Sequence, residues 1–321
     1  MIINESKTAK AFAPAAISSF FEIHDTENNK PILNLENVGA RGGGFGLRKG
    51  LLTRVTVKEA EKTNSAKIYI NSKFAPEAKT TKKVIEILLS KVDKKYAVTV
   101  EHQIEVPIGM GFGTSAGGAL TAGLALTEAL KLPLTYNQIG KIAHVAEIEC
   151  QTGFGTVSSL TSIGGCVLVI EPGAPGICKI DRLPITPDYM VVAGIFQPNT
   201  FNKTVLRDPE KKQAINYYGK QTLEAILQSP SLENFLERCW EFSEKAGFAT
   251  QNVRQLVKLA KKAGAVGAAQ NMVGEAVHAI VLKENVDQVA EAFKQVLPTE
   301  KVLVSEIDFQ GARLVGHEEI R

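Results

Sequence analysis

Long apolar runs are missing from this chain, and no segment is continuous enough in apolar residues to cross a bilayer. Cysteine is sparse: Cys150, Cys166, Cys178 and Cys239 are widely spaced, with no Cys-x-x-Cys pair. The five histidines do not fall at zinc-ligand spacing with them. Free thiols in a reducing compartment are the simplest reading. Excess charge of one sign is missing too. Against 37 Lys and Arg stand 34 Asp and Glu, a net +3, and the paired lysines (Lys82-Lys83, Lys94-Lys95, Lys211-Lys212, Lys261-Lys262) are scattered rather than striped. That pattern argues against a nucleic-acid partner. Lys7 and Lys10 precede an apolar run, Ala11 to Phe21, but Pro14, Ser18 and Ser19 interrupt it, so a cleaved leader is not expected. These absences predict a cytoplasmic protein with a small-molecule partner, no membrane and no nucleic acid.

What is present is an alternation of strand-like and helix-like pieces, and 321 residues suit two domains of ordinary size. Ala11 to Ile23 reads as a strand. A glycine cluster, Gly39 to Gly46, reads as a turn before a strand at Leu51 to Lys58. A helix is predicted over Thr80 to Leu89, and Tyr96 to Glu105 alternates as a half-buried strand. Two helices follow without a strand between them. The first runs from about Ser115 to Leu130; the second begins at Thr135, which with Gln138 spells a capping box. In it Ile139, Ile142, Ala143, Ala146 and Cys150 form one apolar stripe. After the breaker Glu171-Pro-Gly-Ala-Pro-Gly176, strands at Met190 to Phe196, Ala276 to Leu282 and Val302 to Asp308 are interleaved with helices. The fold class is α+β.

The chemistry concentrates in Val106-Pro-Ile-Gly-Met-Gly-Phe-Gly-Thr-Ser-Ala-Gly-Gly118, between a strand and a helix. Gly109, Gly111 and Gly113 permit positive φ and leave no Cβ in a ligand's way. The first amides of the following helix have no intrahelical partners, and its dipole favours an anion there. Thr114 and Ser115 add hydroxyls suited to phosphate or Mg2+. A Walker A loop is excluded, because Ala119 and Leu120 stand where Lys and a hydroxyl residue are required. A dinucleotide fingerprint is formally met by Gly111, Gly113 and Ala116, but a second helix follows where that unit needs a strand.

This loop resembles the phosphate loop of the GHMP kinases (galactokinase, homoserine kinase, mevalonate kinase, phosphomevalonate kinase), which reads Pro, a few residues, Gly-Leu-Gly-Ser-Ser-Ala. Two further segments resemble that family's motifs in order and position: Ala13-Pro14 through Phe21, and Gly264-Ala-Val-Gly267 through Gly274. The resemblance implies a two-domain α+β fold. Residues 1–180 would be an ATP-binding domain like the second domain of ribosomal protein S5, and 181–321 a ferredoxin-like domain. It also implies ATP and Mg2+. Within the superfamily, Pro14 to Phe21, Gly39 to Gly44, Ala143 to Glu149, Thr152 to Gly155 and Gln197 to Thr200 are similar to the archaeal pantoate kinases. Those enzymes phosphorylate the 4-hydroxyl of pantoate on the route to coenzyme A.

The site residues the resemblance implies are therefore the following. Pro107, Gly109, Gly111, Phe112, Gly113, Thr114, Ser115 and Ala116 hold the triphosphate. Ser115 and Glu147 are catalytic and hold Mg2+, and Ser18, Arg41 and Thr200 contact the acceptor. Helix geometry alone does not choose between Glu147 and Glu149, which flank the apolar stripe equally; the motif alignment selects Glu147. An arginine fork suits the acceptor's carboxylate. Two departures stand out. Thr156 occupies the place of the aspartate expected as base, and Cys166 to Ile170 lacks the arginine common in that strand. The alternatives are another acceptor at the same ATP site (homoserine, mevalonate or shikimate) and a nucleotide-binding protein without catalysis. A homodimer is the expected assembly.

Overall fold

The computed structural model describes residues 6–162, 164–196 and 208–316. Strand β1 (Lys7–His24) pairs antiparallel along its length with β4 (Gly39–Ala60), beyond a small hairpin of β2 (Thr26–Glu27) and β3 (Lys30–Pro31). β5 (Ser65–Ile70), β6 (Lys73–Phe74) and helix α1 (Lys79–Leu89) follow, then β7 (Lys95–Ile104). Next come α2 (Thr114–Leu130), α3 (Tyr136–Glu149), α4 (Thr156–Ser162), β8 (Cys166–Glu171) and β9 (Lys179–Leu183). The remainder is β10 (Tyr189–Ile195), α5 (Pro209–Gln228), α6 (Leu232–Lys245), α7 (Gln251–Lys262), β11 (Gly267–Gln270), β12 (Ala276–Leu282), α8 (Val286–Lys294), β13 (Val302–Glu306) and β14 (Arg313–Leu314).

Eight strands form one sheet, in the order β14-β1-β4-β7-β5-β6 with β8 attached to β4 and β9 to β8. The strand β4 is long because its far edge is shared. β8 pairs with residues 42–45 and β7 with residues 51–60. The chain leaves the sheet for the phosphate-type loop at the gap between those partners. Apart from the β2–β3 hairpin, the other four strands form an antiparallel sheet ordered β11-β12-β10-β13, the arrangement of a ferredoxin-like unit. The expected division at residue 180 falls inside β9, which belongs to the first sheet. The segment after β13 also returns to that sheet, where Asp308 N–H donates to Gly46 O and β14 pairs with β1.

One expectation is corrected here. The glycine cluster at 39–46 is not a turn but the first part of β4. Its glycines serve close approach: a Cβ on Gly44 would lie 1.7 Å from Ile17 O, and one on Gly42 2.5 Å from Phe20 O. Stripped of side chains, β4 hugs β1 where β1 is bulged between Ser18 and Phe20. Two short elements, β9 and α4, and the four-residue β11 had no period long enough to register.

The core has three parts. One lies under α1, α2 and α3, where α2 is buried on nearly every side and Ala and Gly let it sit low on the sheet. Another lies behind the ferredoxin-like sheet. The third joins the two sheets through Phe20, Phe45, Phe235 and Phe242, with Phe45 and Phe235 packed edge to face at 5.5 Å. Burying such rings stabilises the junction by about 1.5–3 kcal/mol each. The Thr135/Gln138 capping box at the start of α3 is present as expected.

Candidate active site

The loop from Pro107 to Gly113 joins β7 to α2. Gly109, Gly111 and Gly113 all take positive φ (78°, 77° and 61°). Met110 and Phe112 are buried and anchor the loop, while Ile108 and Gly109 face solvent. Phe112 O accepts from Ala16 N–H of β1 at 3.0 Å, which pins the loop across the sheet. Gly113 is the left-handed N-cap of α2 and supplies no side-chain cap. The first bond inside the helix runs from Gly117 N–H to Gly113 O. The amides of Thr114, Ser115 and Ala116 therefore lie ahead of the first intrahelical bond, at the positive end of a 17-residue helix. That is the electrostatic arrangement an anionic phosphate requires.

Ser115 is partly exposed, and its hydroxyl lies 3.2 Å from Thr80 Oγ1 of α1. Thr80 continues to Thr152 Oγ1 at 2.9 Å, and Thr152 N–H donates to Glu147 O at 3.1 Å. A file of hydroxyls thus connects Ser115 to the end of α3. Thr152 opens the Thr152 to Gly155 segment of the resemblance, but neither it nor Thr80 is given a role by sequence, because they come from distant segments and no spacing relates them.

The structure separates the two glutamates that helix geometry left equal. Glu149 is exposed and paired with Lys83 at 2.6 Å. Glu147 is 1% exposed and folds under the turn at 153–155. Its Oε2 accepts from Gly155 N–H at 3.2 Å, and a Cβ on Gly153 would sit 2.1 Å from Oε1, so only glycine leaves room for the carboxylate. Burial pushes the Glu147 carboxyl up to about 7, against the downward pull of amide hydrogen bonds from Val157 and Gly155. A buried carboxylate held by amides, with no basic side chain bonded to it among the described residues, suits a cation. Among the described residues no cluster of three His, Cys, Asp or Glu side chains could hold a metal alone. A divalent ion here would thus need phosphate oxygens to complete its shell, the usual manner of Mg2+.

Thr156 opens α4 beside the loop, its γ-methyl 3.0 Å from where a Cβ on Gly113 would be. Of the residues expected to meet an acceptor, Ser18 lies at the β1 bulge, and its carbonyl accepts from Met272 N–H at 2.8 Å. Arg41 is not a freely presented fork. Its Nη2 donates to Glu22 Oε1 at 2.5 Å on the neighbouring strand, leaving Nε and Glu22 Oε2 buried without partners among the described residues. Burial raises the Glu22 pKa, and Arg41 only partly offsets it. Thr200 lies outside the described residues.

Residues 79–161 match the family described as GHMP kinases N terminal domain. The chain is 30% identical over 287 residues to the pantoate kinase of Methanocaldococcus jannaschii, covering 88% of this chain and 96% of that one. It is also 30% identical over 292 residues to the pantoate kinase of Thermococcus kodakarensis, covering 90% and 91%. Among solved structures, one described as a phosphotransferase related to the CoA biosynthesis pathway superposes with a TM-score of 0.81 at 26% identity, covering 97% of this chain and 99% of that one. With an open phosphate-type loop in place and close to full-length likeness to such relatives, this chain belongs to the GHMP kinases, phosphotransferases that act on hydroxyl groups.

Proposed function

We propose that this chain transfers the γ-phosphoryl group of ATP to the 4-hydroxyl of pantoate, yielding ADP and 4-phosphopantoate for coenzyme A synthesis. The likeness to two relatives named pantoate kinase over nearly the whole of both chains supports the acceptor. The observation that carries the chemistry is the uncapped start of α2 behind three positive-φ glycines.

In this reading the amides from Gly109 to Ala116 hold the phosphates, with Pro107 and Phe112 setting the loop's path and Thr114 adding a hydroxyl. Ser115 and Glu147 would hold Mg2+, which when bound would supply positive charge against the phosphates. Ser18 and Thr200 meet the acceptor, and Arg41 takes its carboxylate by giving up Glu22. The acceptor's hydroxyl oxygen forms the new bond to Pγ while the bond from Pγ to the bridging oxygen breaks, and ADP leaves with that electron pair. Thr156 cannot take up the hydroxyl proton as a carboxylate would, so the proton passes to a phosphoryl oxygen. Positioning and charge stabilisation supply most of the rate in such transfers, which makes a missing base tolerable.

Assaying ADP release with pantoate, homoserine, mevalonate and shikimate tests the proposal. Turnover with pantoate at least tenfold above the rest is expected. Turnover with another alcohol and none with pantoate would reassign the acceptor, and ATP binding without ADP formation from any acceptor would remove the kinase chemistry.

A further inference from the structure

A second polar cluster lies buried between the two sheets, apart from the glutamate and hydroxyls just described. Ser19, His278 and Asn271 are each fully buried. His278, on β12, places Nε2 2.9 Å from Ser19 Oγ and Nδ1 2.8 Å from Asn271 Oδ1. Amide oxygens only accept, so Nδ1–H donates to Asn271 and Nε2 accepts the Ser19 hydroxyl proton. Burial drives the His278 pKa down to about 3, so the chain of bonds stays neutral.

The position of each end matters. Ser19 is the bulge residue of β1, the one without a cross-strand partner between Ser18 and Phe20. Asn271 begins the turn that packs on the phosphate loop: a Cβ on Gly111 would meet Asn271 Cβ at 3.1 Å and Met272 O at 3.0 Å. A Cβ on Gly274 of the same turn would lie 3.2 Å from Met110 O. Met272 N–H closes the loop by donating to Ser18 O. The turn is therefore wedged between the acceptor-side bulge and the nucleotide-side loop, and His278 is tied to both its start and the bulge. Three polar side chains amid aromatic and aliphatic neighbours favour one arrangement over others more than they favour stability. Asn271 Nδ2 is buried without a partner among the described residues, a further cost a purely structural core would avoid.

We infer that Ser19, His278 and Asn271 are positioning residues that set the distance between the β1 bulge and the phosphate loop, and so the approach of acceptor hydroxyl to γ-phosphate. The inference rests on the loop and Ser18 forming the site proposed above.

The test compares His278→Leu, His278→Gln and Ser19→Ala, using whichever acceptor the unaltered enzyme phosphorylates, so that a wrong acceptor does not sink it. His278→Leu keeps the packing volume and loses both bonds. The expected result is a fall in kcat of about 100-fold, the effect of roughly 1 Å of misplacement, with KM for ATP within about threefold. Ser19→Ala should give a smaller fall of the same kind, and His278→Gln should recover part of the rate. Thermal unfolding of each variant reports folding, and Ser19→Ala keeps the test open should His278→Leu not fold. Rates near normal in folded variants, or a loss confined to stability, would overturn the assignment.

Discussion

His102 and His278 are two buried imidazoles with the same chemistry and different reach. His102 accepts or donates to Thr53 Oγ1 at 2.7 Å and Thr81 Oγ1 at 3.2 Å, and Thr53 passes the chain to Thr121 at 2.6 Å. These partners lie on β4, α1 and α2, so the whole network stays between one sheet and the helices that cover it. His278 instead leaves its own sheet to reach β1 and the turn at 271–274. Burial holds both below the ordinary histidine value of 6.5, to about 4 for His102 and about 3 for His278. The His102 hub lies inside one layer; the His278 hub crosses from one sheet to the other.

The largest effects expected lie outside both networks and set the scale for comparing them. Ser115→Ala and Glu147→Ala should each lower kcat by roughly 100-fold or more, with the fold retained. Glu147→Ala with a near-normal rate would take Glu147 out of the metal shell.

Acid stability tests both histidines together. Between pH 6.5 and their folded values the unfolded chain binds protons that the folded chain does not, so stability rises with pH across that window and is lost as pH falls below 6.5. At roughly pH 4.5 each histidine contributes about 2–3 kcal/mol of that loss. Replacing either by Leu should flatten the acid limb in urea titrations, and an unchanged limb would mean the ring is charged or hydrated in the fold.

A smaller effect separates the two. His102→Leu should cost about 1–3 kcal/mol in urea unfolding, through the hydroxyls it strands, while kcat changes less than about threefold. Should His102→Leu lower kcat as far as His278→Leu, the contrast between the two hubs would fail.

The smallest effect concerns Glu149. Its pair with Lys83 is half exposed, and Glu149→Gln should shift stability by less than about 1 kcal/mol and leave turnover unchanged. A large loss there would mean that the two glutamates of α3 divide their roles differently.

Much of this was legible before any coordinates. Glycines at alternate positions followed by hydroxyls between a strand and a helix pointed to an anion cradle, because glycine backbone and helix starts act locally. The Thr135 cap was legible for the same reason: both of its partners lie within four residues. The cluster at 39–46 misled because glycines mark turns in most sequences, and nothing local says that a neighbouring strand will press against them. Glu147 and Glu149 sit at equal angles from an apolar stripe, so periodicity could not rank them. Ser19 and Asn271 fall inside the two flanking motif segments, but with His278 they span 259 positions and no spacing relates the three.

From its residues alone, then, this chain declared an α+β fold and a glycine-rich strand-to-helix loop, along with the family that loop resembles. Those follow from interactions spanning a few positions. Which glutamate is buried, where Arg41 spends its fork, and which side chains link β1 to the turn against the glycine-rich loop were decided only when distant segments packed. Burial and hydrogen-bond partnership are properties of neighbours in space, and a linear order of residues does not contain them.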